Sequence, residues 1–371
     1  MAIKVAMRKT LDIAGLSKEL EQPAIKVVIY FFSIDLVPQE PHKAIKKAFP
    51  QATCIGSSMI GGWCTDGVLA KGIVAMSLSS DEVAQAFVSF KEGVKKDPSR
   101  TAQAVLDELK RALNSQNINP NDYMGIILFD GLCHAEDIIN TFTLAKGFNL
   151  PIVGGAAADE GQFVKTFVSA DTNLSDDGLV VMIMKMKIPF ICNHYVHYTP
   201  TSTSFVVSKV DTAKRIVWEI DNKPAAEVYA KHIGVSNPAV LTPTHFAKNP
   251  VGIVMADTVY VRSIDKVTGG TGLQFHCCLQ EATRVYLLKQ GDIIANAQSS
   301  LDNAATYLPN VQGALLFNCM LRYMELQDLH KVEAFNSTFK HLNFIGFNTF
   351  GEELYTHHNQ TLTAVFFGSY T

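Results

Sequence analysis

The chain has 371 residues, enough for two domains, and is 47% hydrophobic and 18% charged, which excludes an intrinsically disordered protein. Its net charge of −3, with no stripe of Lys and Arg, excludes the electrostatic footprint of a nucleic-acid binder. In chain order, residues 1–24 read as an N-terminal helical segment without the apolar core of a signal peptide. The run "AIKVVIYFF" (24–32) is a β-rich apolar strand, followed by the helix-like "PHKAIKKAF", the Gly-bearing "ATCIGSSMIGG" (52–62) and a second apolar strand, "GIVAMSL" (72–78). In "SSDEVAQAFVSFKEGV", Ser79 stands three before Glu82 as in a capping box, and Val83, Phe87, Phe90 and Val94 follow at helical spacing, so a packing helix is predicted. A second amphipathic helix is predicted for "TAQAVLDELKRAL".

The pattern of 24–78 then returns. "MGIILFDGL" (124–132), "HAEDIINTFTLA", "LPIVGGAAADEG" (150–161) and "GLVVMIMKM" (178–186) form a second copy. "GALLFNCMLR" (313–322), a helical stretch to Phe339, "NFIGFNTFGEE" (343–353) and "TLTAVFFG" (361–368) form a third. Each copy has room for one crossover helix between its first strand and its Gly-bearing strand, the layout of a βαβ unit. Nearly all-apolar opening strands imply burial on both faces. Between Ile188 and Asp292 the period shifts to short runs such as "SFVVSKVD", "RIVWEID", "GIVMADTVYVRSI" and "TRVYLLK", bounded by turn residues, with one helix at "PAAEVYAKHIG". The predicted class is therefore α/β, a mixture with α+β character. Its N-terminal βαβ-type repeats carry a mostly parallel or mixed sheet, and its C-terminal domain is antiparallel-rich and ends in the third module. The domain ranges are 1–24, 25–210 and 211–371, with the boundary near 200–215.

Ligands of α/β sheets gather at the carboxyl ends of strands, where Gly56, Gly131, Gly154, Cys319 and Gly346 fall. Arg322, in the first turn after a strand, suits a carboxylate by paired hydrogen bonds, or else pairs with Glu325 on a helix surface. Glu352 is a candidate to hold an ammonium group or to orient Arg322. Asn359 and Thr361 are short polar groups suited to turns. His357 and His358 diverge if extended, as do His194 and His197, so neither is a chelating pair. A haem needs only one such histidine. "HCC" at 276–278 reads as strand with a buried structural role. Seven cysteines without CxxC spacing imply reduced thiols and no zinc site, and Pro189 and two lysines break the most apolar run, so the expected protein is cytoplasmic with no membrane span.

The "IGSSMIGG" and "IVGGAAADE" loops resemble the N-terminal half of FIST-domain proteins. "GALLFNCMLR", "FIGFNTFGEE" and "HHNQTLTAVFF" are similar to their C-terminal half. The resemblance runs from about Ile25 to the end. It departs in the first loop, where the family's "GCSSAGE"-like text carries an acidic residue that this chain lacks. What the resemblance implies is a sensory domain that binds a small ligand and reports to a partner. No length remains for a fused signalling module, so the expected partner is a separate histidine kinase or cyclic-di-nucleotide signalling protein, and a homodimer is allowed. One branch of the family binds haem and responds to nitric oxide. On that reading haem b is the cofactor, with His357, His194 or His197 as the iron ligand. Ligand-contacting residues would be Cys319, Arg322, Gly346, Glu352, Asn359, Thr361, Gly154 and Gly155. Two alternatives stand beside it: an amino-acid-like carboxylate ligand without haem, and a Cys-dependent hydrolase or transferase with Cys319 as nucleophile, His357 as base and Glu352 orienting it.

Overall fold

The computed structural model describes residues 3–113 and 118–370. All three predicted copies fold to one topology. In each, the opening strand runs parallel to the short Gly-bearing strand and antiparallel to the returning strand. In the first copy, Ile25–Phe32 pairs in parallel with Thr53–Ser58 and antiparallel with Ile73–Ser79. In the second, Tyr123–Phe129 pairs so with Ile152–Ala156 and Gly178–Met186. In the third, Gly313–Cys319 pairs so with Asn343–Thr349 and Leu362–Phe367. The sheets are therefore mixed.

The glycine shared by the copies has a single physical cause. A Cβ on Gly154 would stand 1.9 Å from the Ile127 carbonyl oxygen. On Gly346 it would stand 2.6 Å from that of Leu316, and on Gly56 2.7 Å from that of Tyr30. At each point the short strand approaches its parallel neighbour more closely than any side chain permits.

The polar loop of each copy contains a hairpin, and that hairpin is handed to another copy's sheet. The first copy's hairpin, starting at Gly62–Cys64, pairs with the third copy's Asn343–Thr349. The second copy's, starting at Val168–Ala170, pairs with the first copy's Thr53–Ser58. The third copy's, starting at Glu352–Leu354, pairs with the second copy's Ile152–Ala156. The exchange is cyclic. Each short strand would otherwise expose an unpaired edge, and a neighbour covers it.

Alternation along the opening strands divides their side chains between two faces. Val27, Ile29 and Phe31, Met124, Ile126 and Leu128, and Leu315 and Phe317 meet in one shared core. Phe31 lies 4.2 Å from Phe347 and 6.2 Å from Phe317 between ring centroids. Each such ring contributes about 1.5–3 kcal/mol by leaving water. The opposite faces carry helices: Ile13–Leu20 and Pro41–Ala48 on the first sheet, Pro98–Ala112 and Ala135–Thr143 on the second. On the third, Val332–Phe339 sets Phe339 against Phe344.

Two local readings change. Residues 1–24 are not wholly helical: Lys4–Arg8 is a strand paired with Ile73–Ser79, and the helix begins at Ile13 behind its Asp12 cap. The helix predicted over 79–94 is the strand Val83–Glu92, paired along Gly178–Met186. Both of its faces are covered, Ala86, Val88 and Phe90 by one core and Phe87 by another, so no two-residue alternation showed in the sequence. The capping-box chemistry is present, with Glu82 Oε2 accepting from the Ser79 N–H and hydroxyl at 2.7 Å each, but it closes a strand-to-strand turn.

The chain divides into two compact units. One comprises Met1–Tyr195, Ala297–His357 and Leu362–Thr371; the other comprises Val196–Asn296 and His358–Thr361. The ranges 25–210 and 211–371 would part the third copy from its partners, because Phe190–Tyr195 pairs with Leu362–Phe367. The second unit is antiparallel throughout its described ladders, with the helix Ala225–His232 where the sequence placed one. "GIVMADTVYVRSI" is a hairpin, Val251–Met255 with Thr258–Arg262. Its turn residues Ala256 and Asp257 both have positive φ, as a tight two-residue turn requires.

Candidate functional site

The third copy's two parallel strands carry the same two letters, Phe-Asn, just before their last residue, in "LLFNC" and "IGFNT". Parallel register sets Asn318 beside Asn348 and Cys319 beside Thr349. Cys319 is the N-cap of the helix Met320–Asp328, which puts Arg322 in its first turn. Arg322 is fully buried, which removes the reading of a solvent-exposed pair with Glu325. Its Nε donates to Asn318 Oδ1 at 3.0 Å, and Asn318 Nδ2 donates to Asn348 Oδ1 at 2.9 Å. Trp63 Nε1 donates to the same Asn348 oxygen at 2.9 Å, while Asn348 Nδ2 donates to the Ile60 carbonyl at 2.8 Å. Trp63 belongs to the hairpin lent by the first copy, so this chain of amides ties that hairpin to the guanidinium. Its ring packs on Phe335 and Tyr323, with centroids at 4.9 and 5.6 Å.

A second buried group adjoins it along the ladder. Thr349 donates its hydroxyl to Glu352 Oε1 at 2.5 Å. Glu352 and Glu353 alternate across the hairpin strand, and Glu353 Oε1 meets His357 Nδ1 at 2.6 Å. Thr349, Glu352 and Glu353 have no exposed area, and His357 is 4% exposed. Glycine makes room here too: a Cβ on Gly155 would fall 2.6 Å from Thr349 Cγ2, and one on Gly351 2.3 Å from His357 Cε1. The carboxylate that orients His357 is thus Glu353, and Glu352 is held by Thr349. The carboxylate expected to orient His357, Glu352, is engaged by Thr349 instead, and Glu353 stands in its place.

The remaining candidates are spread more widely. Gly154 and Gly346 serve the close strand approach described above. Asn359 and Thr361 lie in the segment His358–Thr361 of the second unit, both buried, with Asn359 Nδ2 donating to the His358 carbonyl at 3.1 Å. Gln360, between them, was not singled out by sequence. Its amide nitrogen donates to Tyr198 Oη and the Ala247 carbonyl at 2.8 and 3.1 Å, and its oxygen accepts from Ser263 Oγ at 2.8 Å. His358 stacks on Tyr260 at 5.7 Å. His197 is buried in the second unit with its ring 4.2 Å from Tyr198. His276 and Cys277 lie in a bend just past the strand Gly272–Phe275; Cys277 is buried and Cys278 half-buried. None of the seven cysteines is in a disulfide, and no group of three or more His, Cys, Asp or Glu side chains able to hold a metal ion occurs among the described residues.

His194 is half-buried on the strand Phe190–Tyr195, opposite Thr363. Burial pushes its pKa below the ordinary 6.5, and does the same to the buried His42, where Lys43 adds to the effect. Both bind a proton less readily folded than unfolded, so their contribution to stability is present above pH 6.5 and is lost as pH falls below it. Melting temperature should therefore fall between pH 7.5 and 5.5. Replacing both histidines with Gln should flatten that slope, and an unchanged slope would refute the assignment.

Residues 26–223 match the FIST N domain and residues 225–354 the FIST C domain. The chain belongs to the FIST family. It is also similar to the uncharacterized protein MJ1623 of Methanocaldococcus jannaschii, at 23% identity over 395 aligned residues covering 95% of this chain and 76% of that protein. FIST domains are in general sensory domains of signal transduction. Within this FIST chain, the buried Arg322 and acid groups draw on both halves: Trp63, Gly154 and Gly155 come from the FIST N match and Glu352 and Glu353 from the FIST C match, while His357 lies just beyond it. No helix among the described residues is long and apolar enough to cross a membrane.

Proposed function

We propose that this FIST protein is a cytoplasmic sensor of a small amino-acid-like molecule, and that it reports to a separate signalling protein, a histidine kinase or a cyclic-di-nucleotide enzyme. The observation that carries this reading is the full burial of three charged side chains of the third copy: Arg322, in the first turn of the helix after its opening strand, and Glu352 and Glu353, on the hairpin strand that follows its Gly-bearing strand. Charges withdrawn from water add little stability compared with apolar residues of similar size, and clusters of them are where proteins bind and act. A guanidinium recognises a carboxylate by paired hydrogen bonds, and an acidic pair recognises an ammonium. Together they match the two ends of an amino acid.

Haem is the second reading, favoured by one contact. His357 Nδ1 held against Glu353 at 2.6 Å is the arrangement that fixes a ligating histidine's ring and leaves its other nitrogen for iron. Haem would supply a nitric-oxide-binding iron there. Against it stands the company His357 keeps: Glu352, Glu353 and Thr349, all buried, are polar neighbours for a macrocycle with two apolar faces.

A thermal-shift screen of the amino acids and short dicarboxylates tests both. At about 100 times its Kd a ligand stabilises by ~2.7 kcal/mol, and Glu353→Gln should weaken it at least tenfold. A screen without any shift, together with a Soret band on hemin titration that His357→Ala abolishes, would replace the first reading with the second.

A further inference from the structure

The strand Val83–Glu92 ends the second copy's sheet. It pairs with Gly178–Met186 on one side and with no described strand on the other. At ten residues it is the longest sheet-terminal strand among the described residues. The ladder shows which of its backbone groups are already used. The Gly178 carbonyl accepts from the Asp130 N–H at 3.0 Å on the far side of its strand, and the Gly93 N–H donates to the Asp177 carbonyl at 2.8 Å. Antiparallel residues alternate between pairs that exchange hydrogen bonds and pairs that do not. With Lys91 opposite Leu179 and Ser89 opposite Val181, Gln85, Phe87, Ser89 and Lys91 bond inward. Ala86, Val88 and Phe90 therefore turn their N–H and carbonyl groups outward.

Both faces of the strand are fixed. Ala86, Val88 and Phe90 pack their side chains on the shared core, and Phe87 packs on the second one. Ser89 Oγ donates to Glu108 Oε2 at 2.8 Å and Lys91 Nζ lies 2.6 Å from the same oxygen, which ties the strand to the helix Pro98–Ala112. What stays open is the edge itself, and Ala86, Val88 and Phe90 are only half-buried along it. Proteins ordinarily blunt such an edge with a charge, a proline or a short length. The stretch from Val83 to Phe90 has none of these.

We propose that this edge binds a second copy of the chain through the same strand, antiparallel about a two-fold axis at Val88, so that the two sheets continue into one. The strand is complementary to itself in that register. Ala86 stands opposite the partner's Phe90, small against large, and Phe87 stands opposite the partner's Ser89. Lys91 and Glu92 fall opposite the partner's Gln85 and Ala84, so no like charges meet. All three outward residues find partners, and each copy spends its edge once, which closes the assembly at two. A single strand pair buries less than the ~800 Å² per partner of a standard interface, so the dimer is expected to be a weak one, in the micromolar range. The proposal does not depend on which ligand the protein senses.

Sedimentation of the full chain between about 1 and 100 μM should show a monomer passing into a dimer. Val88→Pro removes an outward N–H and no bond to Gly178–Met186, the one setting in which a strand tolerates proline. It should weaken the dimer at least tenfold with little change in melting temperature. Where that variant fails to fold, cysteine cross-linking decides. Val88→Cys places two thiols across the axis, with Cα atoms about 5.5 Å apart, and should give a covalent dimer under mild oxidation well above the parent's background. Gln85→Cys, more exposed but ~20 Å from its own copy, should not. A monomer at every concentration overturns the proposal, as do oligomers larger than two, a folded Val88→Pro variant that dimerises like the parent, and cross-linking no faster at residue 88 than at residue 85.

Discussion

Gly154→Ala is expected to cost about 3 kcal/mol or more, enough to bring the urea midpoint down by roughly 1 M or beyond. The added carbon would stand 1.9 Å from the Ile127 carbonyl oxygen, and the obstacle is backbone in the middle of a parallel ladder, with no side chain to turn aside. The strand cannot shift away either, since Glu353 of the lent hairpin pairs with Gly154 from the other side. Gly147→Ala is the matched control. That glycine has φ at +71° and open space, with nothing within 4 Å of where a Cβ would stand, so the change costs only the left-handed penalty of about 1–2 kcal/mol. Equal midpoints for the two variants would show that the close approach is not what the glycine is for.

Arg322→Ala should be nearly as damaging, by about 3–5 kcal/mol. Arg322 is among the largest fully buried side chains of the protein. Truncation leaves a cavity, and it strips a donor from Asn318 Oδ1 in the dry interior. Because Arg322 is fully buried, a binding test on the alanine variant would mix lost affinity with lost fold. Arg322→Lys is the better probe, since it keeps the charge and loses the planar fork. It should weaken an amino-acid ligand tenfold or more while the protein stays folded. Trp63 gives the structural readout: in a Trp218→Phe background its emission reports the amide chain that runs from Trp63 through Asn348 and Asn318 to Arg322. A lysine variant with unaltered Trp63 emission and unaltered affinity would remove Arg322 from the site.

Much of this architecture was legible in the residues. Three copies with a shared glycine predicted three strand–helix–strand units, because apolar strands, crossover helices and close backbone approaches each leave a local mark. Other features left none. Val83–Glu92 looked helical because both of its faces meet apolar cores, which erases the alternation that marks a half-buried strand. At the site, Arg322 and Glu352 stood out by charge, whereas Asn318, Asn348 and Trp63 did not, since their roles come from neighbours hundreds of residues away or across a ladder. Glu353 was passed over beside Glu352 because only the hairpin's alternation decides which carboxylate meets His357.

By itself the sequence determined the repeats, their internal order and the places where only glycine fits, all consequences of short-range sterics and hydrophobic periodicity. Which hairpin goes to which sheet was decided by tertiary structure alone, because a strand edge is satisfied by any compatible partner and its sequence does not name one. That exchange brings Trp63 to Asn348 and sets Glu352 and Glu353 against Gly155 and Gly154, and so assembles the buried polar groups from copies far apart in the chain.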